Sequence, residues 1–146
     1  MGDKYLSVRA TAVWATLSAV LMIVGAFGPW ASFFVFTVNG TDANAGVTVL
    51  VCALIILAFL ALGWFTVWRP WTLVVSIIVG LFAAADAIFN TVDVERLINE
   101  NDLQGVVSTG WGLWAAAIGS VSCILGLFAI MRATHRERMA AKRAAA

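Results

Sequence analysis

Four long uncharged stretches, 10–41, 43–68, 70–85 and 103–131, divide the chain, and its charged residues gather between and beyond them. Each stretch is long enough, or nearly so, to cross a hydrocarbon layer of about 30 Å as a helix rising 1.5 Å per residue. The pattern predicts an all-α membrane protein, a four-transmembrane-helix antiparallel bundle, with spans at about 13–31, 47–65, 71–89 and 111–131. A first helix running on to Val38 would be about 43 Å long, well beyond the bilayer, so Gly28-Pro29 marks its end or a kink near it.

Between the first two spans, Ser32 to Val38 is β-branched and aromatic, and Asn39-Gly40 favours a tight turn, which predicts a short hairpin-like or extended outer segment. Arg69-Pro70 forces a short turn that makes the second and third helices antiparallel neighbours. After Asn90, the stretch Val92 to Asp102 places Val94, Leu97 and Ile98 on one helical face, opposite Glu95, Asn99 and Asp102. It is expected as a short amphipathic outer helix lying at the interface and ended by Gly105. The fourth span carries Gly112-x3-Ala116, Ala115-x3-Gly119-x3-Cys123 and Ser122-x3-Gly126. Small residues four apart let helix backbones approach closely, either within the bundle or between copies in a homo-oligomer.

The seven tryptophans all fall near the ends of the apolar stretches. An indole has an apolar ring and an N–H that needs a partner, so this placement predicts an aromatic belt at both membrane surfaces. With 62% hydrophobic and 12% charged residues in 146, there is little room for anything beyond one four-span domain, 1–146, ending in a basic tail, 132–146.

Charge then orients the bundle. Eight basic residues (Lys4, Arg9, Arg69, Arg132, Arg136, Arg138, Lys142, Arg143) fall on one side with Asp3 and Glu137, a net +6. Arg96 stands on the other with six acids, a net −5. By the positive-inside rule both termini and the Arg69-Pro70 turn are expected in the cytoplasm, with the chain in the plasma membrane. The first apolar run is longer than the core of a secretory signal and Gly28-Pro29-Trp30 is a poor cleavage site, so the first helix is expected to be retained. Asn39-Gly40-Thr41 is a glycosylation sequon, without meaning in the bacterial source we expect.

A membrane haem commonly needs paired histidines at depth, but the sole histidine, His135, lies in the charged tail. Quinone-reducing thiol enzymes use cysteine pairs in loops, whereas Cys52 and Cys123 are isolated, in different spans and at depths about 10 Å apart, too far for a disulfide. The sequence has no phosphate-binding glycine loop, metalloprotease helix, nucleophile elbow or metal-spaced Cys/His cluster. It is therefore expected to be no enzyme, with no catalytic residue, metal or cofactor.

Asp86 is the only acid at membrane depth, and on a continuous helix Asn90 and Asp93 would share its face. It sits three residues from the expected outer end, where water or headgroups reach it, so a structural or interfacial role stands first and an ion or proton path second. The candidate functional residues are Asp86, Asn90, Asp93 and Arg96 at the acidic side, Trp111 and Trp114 opening the fourth span, and Arg136 and Arg138 in the tail. The expected partners are the lipid bilayer, a membrane or cytoplasmic protein docking on the basic tail, and a second copy through the fourth helix; nucleic acid is not among them.

Gly28-Pro29-Trp30 closing the first helix, Asn39 to Gly46 leading into the second, Asp86 ending the third, Val94-Glu95-Arg96 and Gly110-Trp111-Gly112-Leu113-Trp114 together resemble small four-helix integral membrane proteins of actinobacteria and their phages or prophages. The resemblance covers nearly the whole chain and speaks to fold and source more than to function. Three classes of function are consistent with it. They are an accessory or interaction protein, in its most concrete form a prophage protein excluding other phages; a holin that permeabilises the membrane; and a small oligomeric transporter or channel built around Asp86.

Overall fold

The computed structural model describes residues 5–33, 36–42, 44–66, 68–101 and 106–145. Helix α1 (Tyr5–Phe27) begins earlier than expected and stops four residues sooner. Its end follows from Gly28-Pro29: the proline ring disfavours helical geometry at Gly28, whose own N–H makes the last bonds, to the carbonyls of Val24 (3.0 Å) and Gly25 (3.2 Å). The chain then enters strand β1 (Pro29–Phe33), which pairs antiparallel with β2 (Phe36–Asn39), setting Ala31 opposite Val38 and Phe33 opposite Phe36.

The expected hairpin is therefore present, but with Phe33 paired to Phe36 and Asn39 at the far end of β2, Asn39-Gly40 is not its turn. Gly40–Asp42 instead forms one 3-10 turn leading to α2 (Asn44–Phe65).

Helix α3 (Pro70–Glu100) opens with proline at its first position after an extended Arg69 (φ −88°, ψ 134°), the backbone that a following proline favours. It continues unbroken to Glu100. The separate amphipathic helix expected from 92 to 102 is thus the last part of α3, and residues 102–105, with its expected Gly105 stop, lie outside the described residues. The polar residues that implied a break fold back on their own helix. Asn90 Nδ2 donates to the carbonyl of Asp86 (2.7 Å) and the Thr91 hydroxyl to that of Ala87 (2.8 Å), so the backbone ladder runs through them. Val94 packs against the core while Leu97 is exposed.

A second departure is β3 (Val107–Thr109), which pairs antiparallel with β1 and completes a three-stranded sheet in the order β2-β1-β3. Both connections at this end are thereby tied into one cap, stapled further by Gly40 N–H to the Gly28 carbonyl (3.1 Å) and Gly110 N–H to the Trp30 carbonyl (2.8 Å). Helix α4 (Trp111–Ala145) runs 35 residues, so the basic tail is a continuation of it through Ala145. Four helices are each long and apolar enough to cross a membrane.

Among the described helices the most extensive contact is between α1 and α4, and their backbones come close. Ala12, Ala15, Ala19 and Met22 of α1 are buried against a face of α4 that includes Leu113, Ala116, Cys123, Leu127 and Ile130. A Cβ on Gly25 would collide with the Ala116 backbone nitrogen and lie 2.7 Å from the Gly112 carbonyl; one on Gly119 would lie 2.9 Å from the Met22 nitrogen. The small-residue pattern of the fourth span therefore packs inside the chain, as one of its two expected readings had it. Cys123 makes a weak bond from its thiol to the Ala15 carbonyl (3.7 Å), and both cysteines are free and buried.

These contacts separate two kinds of glycine. Gly25→Ala places its methyl against backbone that cannot give way, and is expected to lower the unfolding free energy in detergent micelles by about 2 kcal/mol or more. At Gly80 the added carbon meets the Ile124 side chain at 3.1 Å and Ile56 at 3.8 Å, both able to turn. Gly80→Ala should shift stability by less than about 1 kcal/mol, relief of glycine's backbone freedom offsetting the contact. Equal losses at the two positions would contradict the α1–α4 geometry.

Candidate functional site

The expected group on α3 comes together only in part. Asp86 is half-buried about 24 Å along the helix from Pro70. Its partner is on its own helix: Asn90 Nδ2 reaches Asp86 Oδ1 at 3.4 Å, a long contact, while making its short bond to the Asp86 backbone carbonyl. Oδ2 is buried with no hydrogen-bond partner, the one such side-chain atom among the described residues. Asp93 shares the face but is exposed. Arg96 does not turn to Asp93; its Nε donates to Glu100 Oε1 at 2.6 Å in an exposed pair one turn on. Such a pair, open to solvent, contributes little to stability.

Chemically, the Asp86 carboxylate retains an open, buried acceptor, able to take a proton or a hydrogen bond from an incoming group. Among the described residues no set of three or more His, Cys, Asp or Glu side chains could hold a metal ion.

At the other candidate positions, Trp111 and Trp114 are exposed, and the Trp111 ring lies over Gly28, where a Cβ would come within 2.9 Å of it. Trp64 and Trp71 are exposed at the opposite end, the Trp71 ring set edge-on to Phe59 at 6.1 Å. Those four fit a belt. Trp30 does not: it is 5% exposed beneath the sheet, its N–H donating to the Gly25 carbonyl at 3.0 Å. Trp14, on the flank of α1, sends its N–H across to the Ser122 hydroxyl (2.7 Å), which also accepts from Ser18 (2.9 Å). In the tail Arg136 is exposed, whereas Arg138 Nη2 donates to the Trp68 carbonyl (2.8 Å), tying α4 to the α2–α3 turn.

Two structural features leave little or no mark in the sequence. The cap's third strand was missed, although Val107-Ser108-Thr109 ahead of Gly110 carries a short β-branched signal. The role of Ser122 as a polar link between α1 and α4 left no signal, since a serine four from a glycine reads only as small. Comparison with protein-family models, with curated proteins and with solved structures finds no match.

Because Asp86 bonds no other helix, its removal should be tolerated. Both Asp86→Asn and Asp86→Leu are expected to assemble in detergent as the parent does, with stability unchanged in Asp86→Asn and unchanged or raised by about 1 kcal/mol in Asp86→Leu, where an unpaired buried acceptor is lost. Loss of more than about 2 kcal/mol in Asp86→Leu would show a bond to another element that the geometry lacks. An assembled Asp86→Asn protein without activity would instead mark an ion-coupling carboxylate.

Proposed function

We propose that this chain is a non-enzymatic integral protein of the plasma membrane. Its four helices span the bilayer, both ends of the chain lie in the cytoplasm, and the sheet cap faces outward. The charge division supports the orientation: the end with Arg9, Arg69, Arg132, Arg136 and Arg138 is basic, and the end with Asp42, Asp93, Glu95 and Glu100 is acidic. In this reading the protein works by presenting surfaces to partners, the cap outside and the basic end of α4 inside. Its most concrete form is prophage-encoded exclusion of other phages, in keeping with the sequence resemblance to small actinobacterial and phage membrane proteins.

The observation that carries the reading is the free edge of the cap. β2 is an outer strand of the sheet, and Phe36 (78% exposed) and Val38 (38%) stand on it, with Phe33 (39%) opposite Phe36 on β1. A sheet edge offers unpaired N–H and C=O groups to an added strand, and apolar side chains on it supply the adhesive area. A second reading, a small transporter or channel, draws on the unpartnered Asp86 Oδ2.

Expression in a susceptible actinobacterial host should be tolerated and reduce plaque formation by particular phages. Phe36→Asp, exposed and distant from the core, should leave the protein in the membrane and restore plating. Abrupt collapse of the membrane potential on moderate expression would favour a holin instead. Unchanged plating across a broad phage panel would remove the exclusion reading.

A further inference from the structure

The flank between α1 and α2 carries an open groove of about 470 Å³, lined by Thr16 of α1 and by Leu57, Leu60, Ala61, Trp64 and Phe65 of α2. The Thr16 hydroxyl is spent on the Ala12 carbonyl (2.8 Å), so the lining offers an occupant almost no free polar group. Leu57 to Phe65 is nine residues, about 12 Å of helix from first to last, against roughly 15 Å for half of a 30 Å hydrocarbon layer. The groove thus matches the depth of one leaflet and lies in the half of the bundle nearer the basic end. A partner helix would need a seam along the whole span, which this short recess does not give. A flexible hydrocarbon chain fits it.

The charge at its mouth identifies the rest of the ligand. Arg9 lies seven residues before Thr16, hence on the same face of α1 and about 10 Å nearer the basic end. Arg9 is exposed, and the one ion pair among the described residues is Arg96 with Glu100. A guanidinium matches phosphate geometry with paired donors, and exposed Trp64 and Phe65 stand at the level where a headgroup meets its chains.

We propose that the α1–α2 groove holds one acyl chain of an anionic phospholipid of the cytoplasmic leaflet, with its phosphate on Arg9. The site rests on the membrane-spanning reading and is independent of phage exclusion. It would fix one lipid on the α1–α2 flank, away from the contact between α1 and α4.

Native mass spectrometry of the detergent-solubilised full chain, offered dioleoylphosphatidylglycerol or dioleoylphosphatidylcholine at equal concentration, tests it. One phosphatidylglycerol should be retained with a preference of about fivefold, the order of factor that one cation supplies at an anionic membrane surface. Arg9→Gln should abolish the preference, and Arg132→Gln, equally exposed at the same end, should keep it. Ala61→Phe, which fills the recess from an exposed position, should lose retention of either lipid while remaining monodisperse. Equal retention of both lipids by the parent, or an unchanged preference in Arg9→Gln, overturns the site. So does a dimer that Ala61→Phe dissociates, which would assign the groove to a second copy. Recovery of the chain from membranes without detergent would sink the spanning reading itself, a result distinct from loss of the lipid.

Discussion

The close approach of α1 to α4 is the constraint on which the other features depend. Glycines at 25, 112 and 119 bring the two backbones so near that no side chain fits between them, and dispersion over that flat contact holds the pair together. The same contact puts the end of α1 beside the start of α4. Gly28 meets Gly112, and Gly110 reaches the backbone at Pro29 and Trp30, so β1 emerges where β3 can pair with it. The cap is a consequence of the helix packing, and Trp30, bonded to the Gly25 carbonyl, closes the space beneath it.

The side-chain hydroxyls of the helices are satisfied mostly without crossing between helices. Thr16, Thr48, Thr66, Ser76, Thr91 and Ser120 each return a hydroxyl proton to a carbonyl four residues back. The exceptions include Trp14 and Ser18 on Ser122, the weak Cys123 thiol bond to the Ala15 carbonyl, Arg138 on the Trp68 carbonyl, and the orphaned oxygen of Asp86. Self-satisfied hydroxyls leave shape as the main determinant of which faces meet. The α1–α2 flank carries an open groove.

Much of this architecture is legible in the residues. Uncharged length gave four helices, Arg69-Pro70 gave the turn, and Gly28-Pro29 gave the end of α1, because each acts through local geometry. What was not legible depends on neighbours distant in sequence. Asn90 and Thr91 look like a break until their side chains are seen folded onto α3. Val107 to Thr109 is too short to declare itself a strand without β1 beside it. Trp30 and Trp64 are alike in sequence position, each near the end of an apolar run, yet one is covered by the cap and the other is exposed. The candidate site divides the same way: Asp86 and Asn90 pair as helical spacing requires, while the Arg138 contact needed the whole bundle to form.

The central claim, that the small-residue face of α4 packs on α1 of the same chain, is open to direct measurement. A Cβ at position 126 would stand 3.1 Å from the Cβ of Ala15, close to the separation of about 3.5–4.5 Å found in disulfides. With Cys52 and Cys123 replaced by alanine, the pair Ala15→Cys and Gly126→Cys should oxidise in membranes to a bond within one chain, migrating as a monomer on a non-reducing gel. Cross-linked dimers in its place, or no bond at all, would contradict the account.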